Sequence, residues 1–561
     1  METAMADADS SNRYFAETHS VENQPTALED YNLYGADRAL REAVGREGAG
    51  WAEDGLHGFG ALTGSRELIE LGFQANENKP VLYTHDRYGH RVDEVRFHPA
   101  YHRLMQLSIE HGLHASHWSD PREGAQVARA AKFYMQSQVE AAHCCPITMT
   151  SAAIPALRLQ PEVAAVWEPK ILSRCYDPRN VPDSQKEGVT IGMAMTEKQG
   201  GSDVRANTTR AIPLGGGPGQ AYELVGHKYF VSAPMCDAFL VLAQAPGGLS
   251  CFLLPRWRPD GSKNPLQIQR LKNKMGNVAN ASSETELRGA WAQMIGEEGR
   301  GVATILKMVS MTRFDCMIGS AAGMRQAVVQ ALHHCEQRAA FGRLLSEQPL
   351  MQNVLADLAI ESEAALAMTM RIARALDSSD SESEKLLVRM GTAVGKYWIC
   401  KRTPGHAYEA MECIGGSGVM EDSIMPRLFR ESPVNSIWEG SGNVQCLDML
   451  RAMQREPGSL DVFMAELKLA AGGNRYLDQH VASLANDFAD RADIEYRARA
   501  IVEKMALALQ GALLVRHGDQ AVADGFCLSR LSGLASGLVY GNLPRGVDCA
   551  RIIRRASVAA S

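Results

Sequence analysis

The 561-residue chain carries 58 Lys/Arg against 65 Asp/Glu, a formal charge of −7, and 45% of its residues are apolar. That length exceeds one hydrophobic core, so several domains are expected; the charge excludes a uniformly basic nucleic-acid binder, though not a local basic face. No run approaches the roughly 18 apolar residues of a membrane span.

Residues 1–24 are rich in Ser, Asp, Ala and Asn and read as a disordered N-terminus. The acidic, polar start Met1–Asn12 is the opposite of a signal peptide's order, so a soluble cytoplasmic protein with reduced thiols is expected. Residues 25–187 read mainly as helices, with Asp37–Val44 and Gln126–Ala142 as examples. Five histidines crowd His98–His117, but no second cluster completes a metal site, and Cys144-Cys145 is adjacent where a metal site has C-x-x-C; no metal is expected.

Residues 188–298 change character. Val189–Thr196, Ala206–Pro213, Ala221–Ser232, Ala238–Ala243 and Ser250–Pro255 are short β-prone runs bounded by Gly, Pro, Asp or Asn, as in an antiparallel β domain. Gly215-Gly216-Gly217-Pro218-Gly219 lies between two of them; with no following Lys-Ser/Thr and no helix it reads as a hairpin loop, not a phosphate loop. Residues 299–453 regain the helical period (Val302, Ile305, Leu306, Val309; Met351, Val354, Leu355, Leu358) and read as a bundle. Glu456-Pro457-Gly458-Ser459 breaks the pattern, and residues 454–561 read as a separate helical unit. The fold class is α+β, mainly α.

Four clusters carry chemistry. Met195-Thr196-Glu197-Lys198-Gln199-Gly200-Gly201-Ser202-Asp203 follows a strand and offers backbone N–H groups and hydroxyls suited to a planar ring edge such as a flavin's, although such a turn can equally be structural. Arg338-Ala339-Ala340-Phe341-Gly342, with Gln348 and Gln352, supplies a forked cation suited to a pyrophosphate; a lone Arg there would read as a surface salt bridge. Gly415-Gly416-Ser417-Gly418 lies between helices, equally readable as a helix cap, and has no strand before it as a dinucleotide fingerprint requires. Ile437-Trp438-Glu439-Gly440-Ser441-Gly442-Asn443 sets a carboxylate between an aromatic ring and a small-residue turn, apolar company that raises a carboxyl pKa toward that of a general base.

In this order the clusters resemble the acyl-CoA dehydrogenase family over about residues 130–450. The segments MTEKQGGSDVRANTTR (195–210), KMVSMTRFD (307–315) and PVNSIWEGSGNVQCLDMLR (433–451), with Asn23-Gln24-Pro25 and Leu28–Leu33, are similar to its AidB-like branch, linked to the adaptive response to DNA alkylation. The resemblance implies an N-terminal helical domain, a central β domain, a helical bundle and noncovalent FAD. Met195, Thr196, Gly201 and Ser202 would contact the flavin ring or its substrate side. Phe230, Val231 and Ser232 stand where the family places a Trp-Ile-Thr segment. Arg338, Phe341, Gln348, Gly415 and Gly416 would hold the ADP half, partly across a subunit boundary, which implies an oligomer, here expected to be a homotetramer. Glu439 matches the catalytic base, and Ile437, Trp438, Gly440, Ser441, Gly442 and Asn443 border the cofactor. Trp438 and Ser441 replace the usual Tyr and Thr of that turn, and the extensions at both ends put a standard fatty acyl-CoA in doubt.

Residues 451–561 hold 14 Lys/Arg and 12 Asp/Glu, a formal +2 against −9 for the remainder. This asymmetry alone favours a solvated helical face; the resemblance adds double-stranded DNA as a partner, bound through its phosphates, with Arg451, Arg551, Arg554 and Arg555 as candidates. The leading expectation is an FAD flavoprotein associated with DNA, retaining weak dehydrogenation of short or branched acyl-CoA by Glu439. The alternatives are a plain short- or branched-chain acyl-CoA dehydrogenase and a non-catalytic, DNA-shielding flavoprotein.

Overall fold

The computed structural model describes residues 18–215, 219–378, 380–535 and 537–558; the expected disordered stretch 1–17 and the centre of the glycine loop, 216–218, lie outside them. Residues 18–24, also expected to be disordered, hold a defined path. The Asn23 side chain donates to Ala339 O and accepts from Ala339 N, each at 2.8 Å, and its backbone carbonyl accepts from Arg338.

Helices α1 (Arg38–Arg46), α2 (Glu53–Thr63), α3 (Arg66–Glu77), α4 (Pro99–Glu110), α5 (Ser116–Ser119), α6 (Ala125–Val139), α7 (Cys144–Leu157) and α8 (Pro161–Ile171) form the N-terminal part. Asp37 caps α1 by accepting from Leu40 N (3.0 Å), Ser65 caps α3, and His98 followed by Pro99 opens α4. The other four histidines of the crowded stretch are dispersed: His102 pairs with the Tyr176 hydroxyl (2.8 Å), His111 stacks near Phe59, His114 meets Ser173 O (3.0 Å), and His117 packs on Trp118.

One departure from the all-helical reading of this part is a hairpin, β1 (Val81–His85) and β2 (Arg91–Arg96). Asp86 closes its turn by accepting from Tyr88 N and His90 N, and Arg91 donates to Ile268 O at 2.8 Å. That last anchor is 177 residues away, so local periodicity does not disclose it.

The sheet comprises β3 (Ile191–Ala194), β4 (Arg210–Pro213), β5 (Ala221–Ser232), β6 (Ala238–Ala245), β7 (Gly248–Pro255), β8 (Leu266–Leu271) and β9 (Ser282–Ile295), in the order β3-β6-β4-β5-β9-β7 with β8 on β9. Pairing of β6 with β7 closes the path from β6 through β4, β5 and β9 on itself, with β3 and β8 each paired on one side. It is not purely antiparallel as expected: β3 and β4 both run parallel to β6. β4 and β5, which flank the glycine stretch, pair antiparallel.

The bundle holds α9 (Gly301–Gln337), the minimal strands β10 (Ala339–Ala340) and β11 (Arg343–Leu344), α10 (Pro349–Asp377), α11 (Glu382–Ile414), α12 (Met425–Glu431) and α13 (Gly442–Arg455). It is followed by α14 (Ser459–Lys468), α15 (Arg475–Ala489), α16 (Ile494–His517), α17 (Gln520–Phe526) and α18 (Cys549–Ala556). These last helices are not a separate unit. Met505, Leu509 and Leu513 of α16 enter one core with α9, α10, α11 and the N-terminal helices, and Trp398 donates to Gln510 at 3.1 Å. Arg371 joins Glu384 to Glu466, and Glu361 holds both Arg402 and Arg530. On α9, Arg325 donates to Ala36 O (3.0 Å) and Ala556 O (2.9 Å) and pairs with Asp37 (3.2 Å), tying both ends of the chain to one guanidinium. A second core lies between α7, α8, the sheet and the start of α9. Among the described residues no helix is long and apolar enough to cross a membrane.

Candidate active site

A cavity of about 600 Å³ opens where the sheet, α7, α9 and the turn before α13 meet, within the size range of cofactor and ligand sites. Met195, Thr196, Gly201 and Ser202 line it from the loop after β3; Phe230 and Ser232 from the end of β5; Ile437, Trp438, Glu439, Gly440 and Ser441 from the turn. Side chains alternate along a strand, so Val231, between Phe230 and Ser232, points into the barrel and is buried. Phe230 keeps an exposed ring, with the Lys272 ammonium 4.6 Å from its centroid and 3.1 Å from that of Tyr229.

Glu439 sits at φ 57°, a left-handed conformation in which a residue other than glycine is strained. The surroundings hold it there. Its backbone carbonyl accepts from Arg313 Nε (2.8 Å) and Gln445 Nε2 (3.2 Å). Lys396, almost wholly buried, donates to the carbonyls on either side, Trp438 O at 2.7 Å and Gly440 O at 2.5 Å. The Glu439 carboxylate accepts from Thr312 Oγ1 at 2.8 Å. Burial raises its pKa above the ordinary carboxylate value, against the lowering effects of Thr312, Lys396 and Arg313. Trp438 is fixed by its indole N–H donating to Asn435 (2.8 Å), which in turn donates to Ser320 (3.1 Å). The result is a proton acceptor with raised pKa, held rigidly against an aromatic wall.

The residues read as an ADP site do not line this cavity. Arg338, Phe341 and Gln348 lie beyond the far end of α9, about 39 Å along the helix from Thr312. Gly415 and Gly416 join them: Cys335 meets Cys413 O at 3.8 Å, and open space surrounds both glycines. Phe341 is 99% exposed. No dinucleotide bound at Glu439 spans that distance within one chain. Gly442 and Asn443 open α13 behind the turn, Gly442 packing near Lys401 and Tyr397.

Of the candidate DNA contacts, Arg451 lines the cavity and is exposed. Arg551 pairs with Asp519 at 2.7 Å. Arg555 is committed to Glu42 and Glu363, so its guanidinium serves packing between α18, α10 and α1, not an open phosphate site. Arg554 is exposed and has no ion pair among the described residues.

Three residues central to the turn received no role from sequence. Thr312 and Arg313 lie in the 307–315 segment, whose wording signals the family but not the contact. Lys396 offered only a weak sign, a cation inside an apolar helical run. Among the described residues no group of three His, Cys, Asp or Glu side chains is arranged to hold a metal.

The cofactor fit rests on the donor set. Among the described residues no hydrogen bond engages the Thr196 or Ser202 hydroxyl, and the exposed Phe230 ring lies beside them, a combination suited to a flat, polar-edged ring. Residues 23–178 match the family described as the adaptive response protein AidB N-terminal domain. Residues 192–290 match the acyl-CoA dehydrogenase middle domain, and 299–454 its C-terminal domain. The AidB protein of Escherichia coli (strain K12) is 47% identical over 91% of this chain and 94% of its own. The structure of Caenorhabditis elegans ACDH-11 in complex with C11-CoA superposes with a TM-score of 0.84 at 28% identity, covering 93% of each chain. That of an acyl-CoA dehydrogenase complexed with FAD from Bacillus anthracis gives 0.59 at 18% identity over 82% of this chain and 80% of that one, a likeness of fold.

Proposed function

Because the chain belongs to the acyl-CoA dehydrogenase family, in its AidB-like branch, we propose that it is an FAD flavoprotein whose cavity takes an acyl-CoA thioester and whose Glu439 is the base. The observation that carries this reading is the Glu439 carboxylate, raised in pKa and facing the same cavity as Thr196, Ser202 and Phe230. Bound FAD supplies the hydride acceptor. The chain's own residues do the rest: Glu439 takes the α-proton of the thioester as the β-hydride leaves and the α,β double bond forms. Arg313, Gln445 and Lys396 hold the turn so that the carboxylate does not swing away. Trp438 narrows the site beside the base.

The test is anaerobic titration of the yellow holoprotein with butanoyl-CoA and isovaleryl-CoA, followed by loss of flavin absorbance. Glu439→Gln keeps the shape and removes the acceptor, so bleaching should slow by about 10²–10⁴ with FAD still bound. An unchanged rate in that variant assigns the base elsewhere. A protein that cannot be loaded with FAD refutes the reading.

The separation of Arg338 and Gly415 from the cavity supports FAD held between two chains, and hence a homo-oligomer. AidB-like membership supports association with duplex DNA and a role in the response to alkylation damage. Of the four candidate arginines, Arg554 and Arg451 are exposed and have no ion pair among the described residues, which leaves them available to phosphates.

A further inference from the structure

Past Glu439 the cavity continues along α9. Its wall there includes Cys316, Gly319 and Gly323, the last about 16 Å beyond Thr312 along the helix. On one flank it meets a recess built from three segments: Cys145 at the start of α7, Lys274 and Asn277 in the loop between β8 and β9, and Glu431 at the end of α12. This recess adjoins the base, since Cys145 lies within electrostatic reach of both Lys274 and Glu439.

The recess is polar where a saturated acyl chain would require apolar walls. Asn277 is 4% exposed, and its side-chain oxygen has no hydrogen-bond partner among the described residues; the same holds for Glu431 Oε1. Lys274 donates to Asn280 O at 2.7 Å and to Ser282 Oγ at 3.2 Å, two acceptors for an ammonium with three N–H bonds. Buried acceptors without donors are rare and costly, so each calls for an explanation.

The arrangement is also pre-set. Asn277 is held at φ 57°, and a Cβ on the preceding Gly276 would lie 2.3 Å from Arg430 O, so only glycine lets the loop press this closely on the end of α12. The backbone N–H of Asn277 faces the Glu431 carboxyl, which sets this loop beside the end of α12. Burial, with Glu140 nearby, pushes Glu431 up to about 7, and burial pushes Lys274 down to about 8, so the recess disfavours a second full charge.

We propose that this recess is a polar subsite that binds a neutral hydroxyl or primary amide on the acyl part of the ligand, which donates to Asn277 or Glu431 and accepts from Lys274. A free cation would meet the Lys274 ammonium, and an anion would meet two acceptors; a group that both donates and accepts satisfies all three. The inference rests on the thioester reading of the cavity.

The test uses the full-length, FAD-loaded protein and measures dissociation constants from the perturbation of the flavin spectrum. The probes are saturated acyl-CoA thioesters from butanoyl to dodecanoyl and their ω-hydroxyacyl counterparts. At one or more chain lengths the hydroxylated ligand should bind about tenfold or more tightly. Asn277→Leu combined with Glu431→Leu should abolish that preference while saturated thioesters still bind, and Glu431→Gln, nearly isosteric, should reduce it. Equal or weaker binding of the hydroxylated ligand at every length overturns the proposal, as does a preference that survives the double variant. If no thioester of either series perturbs the flavin, the reading of the cavity fails first and the subsite with it. Normal saturated binding without the hydroxyl preference removes the subsite alone.

Discussion

Glu439 is held in its left-handed conformation by groups drawn from α9, α11 and α13, and Lys396 is the one that reaches both of its neighbours' carbonyls. Lys396→Met should cost about 1–3 kcal/mol by leaving Trp438 O without its donor and Gly440 O with Gln445 alone, readable as a lowered thermal midpoint. It should also move the pH profile of flavin bleaching. The base works deprotonated, so activity rises with pH through its folded pKa. Burial raises that pKa and Lys396 opposes the rise; removing the ammonium therefore shifts the acid limb to higher pH. An acid limb that stays in place or moves down would show that Lys396 does not act on Glu439. The turn itself is legible in sequence because its residues are contiguous. Its supports are not: Lys396 is 42 residues from Trp438, and Thr312 is 127 from Glu439, so their proximity exists only after folding. Asn277 and Glu431 are hidden for the same reason, each an ordinary polar residue in its own stretch.

At the scale of elements, the runs from 189 to 255 announce strands through β-branched residues between turn formers, and the long helices announce themselves by period. Pairing does not. That β3 and β4 lie parallel to β6 depends on crossovers whose direction no local pattern encodes. β9 escapes notice because it opens with four buried polar residues, Ser282–Thr285, where a buried strand is expected to be apolar. The C-terminal helices are legible as helices, but not as part of the bundle's core. Truncation after Pro457 should thus give a protein that has lost cooperative unfolding, since it uncovers the faces of α10 and α11 that bury Leu509, Leu513 and Met505. A truncated protein with a sharp, unshifted thermal transition would contradict this. On α18, neighbouring arginines should behave differently. Arg554→Ala should lower the log–log salt slope of duplex binding by about one and leave stability alone. Arg555→Ala should instead cost about 1–3 kcal/mol, because Glu42 and Glu363 lose their partner. The reverse pattern would move the phosphate contact to Arg555.

For the whole molecule, the two groups of cofactor candidates sit at opposite ends of α9, which makes assembly and cofactor retention one problem. Asn23 bridges residues 18–24 to Ala339 and orients Arg338. Asn23→Ala should weaken FAD retention on gel filtration at low protein concentration, with little change in the far-ultraviolet circular dichroism. Unaltered retention together with an unaltered sedimentation profile would count against the shared site.

Arg325 has a consequence in time as well as in space. Its guanidinium joins Ala36 and Ala556, 289 and 231 residues away from it along the chain, and Arg555 reaches Glu42 across 513 residues. During synthesis the first helices emerge long before α18, so Glu42 on α1 waits for Arg555 while most of the chain is made. Contacts of such sequence separation form slowly, and the half-made protein presents the apolar sides of α6, α9 and α10 to its surroundings. Refolding from denaturant should accordingly show a late phase that reports on the joining of the two ends, and a nascent chain stopped short of Cys549 should be markedly more sensitive to proteases than the finished one.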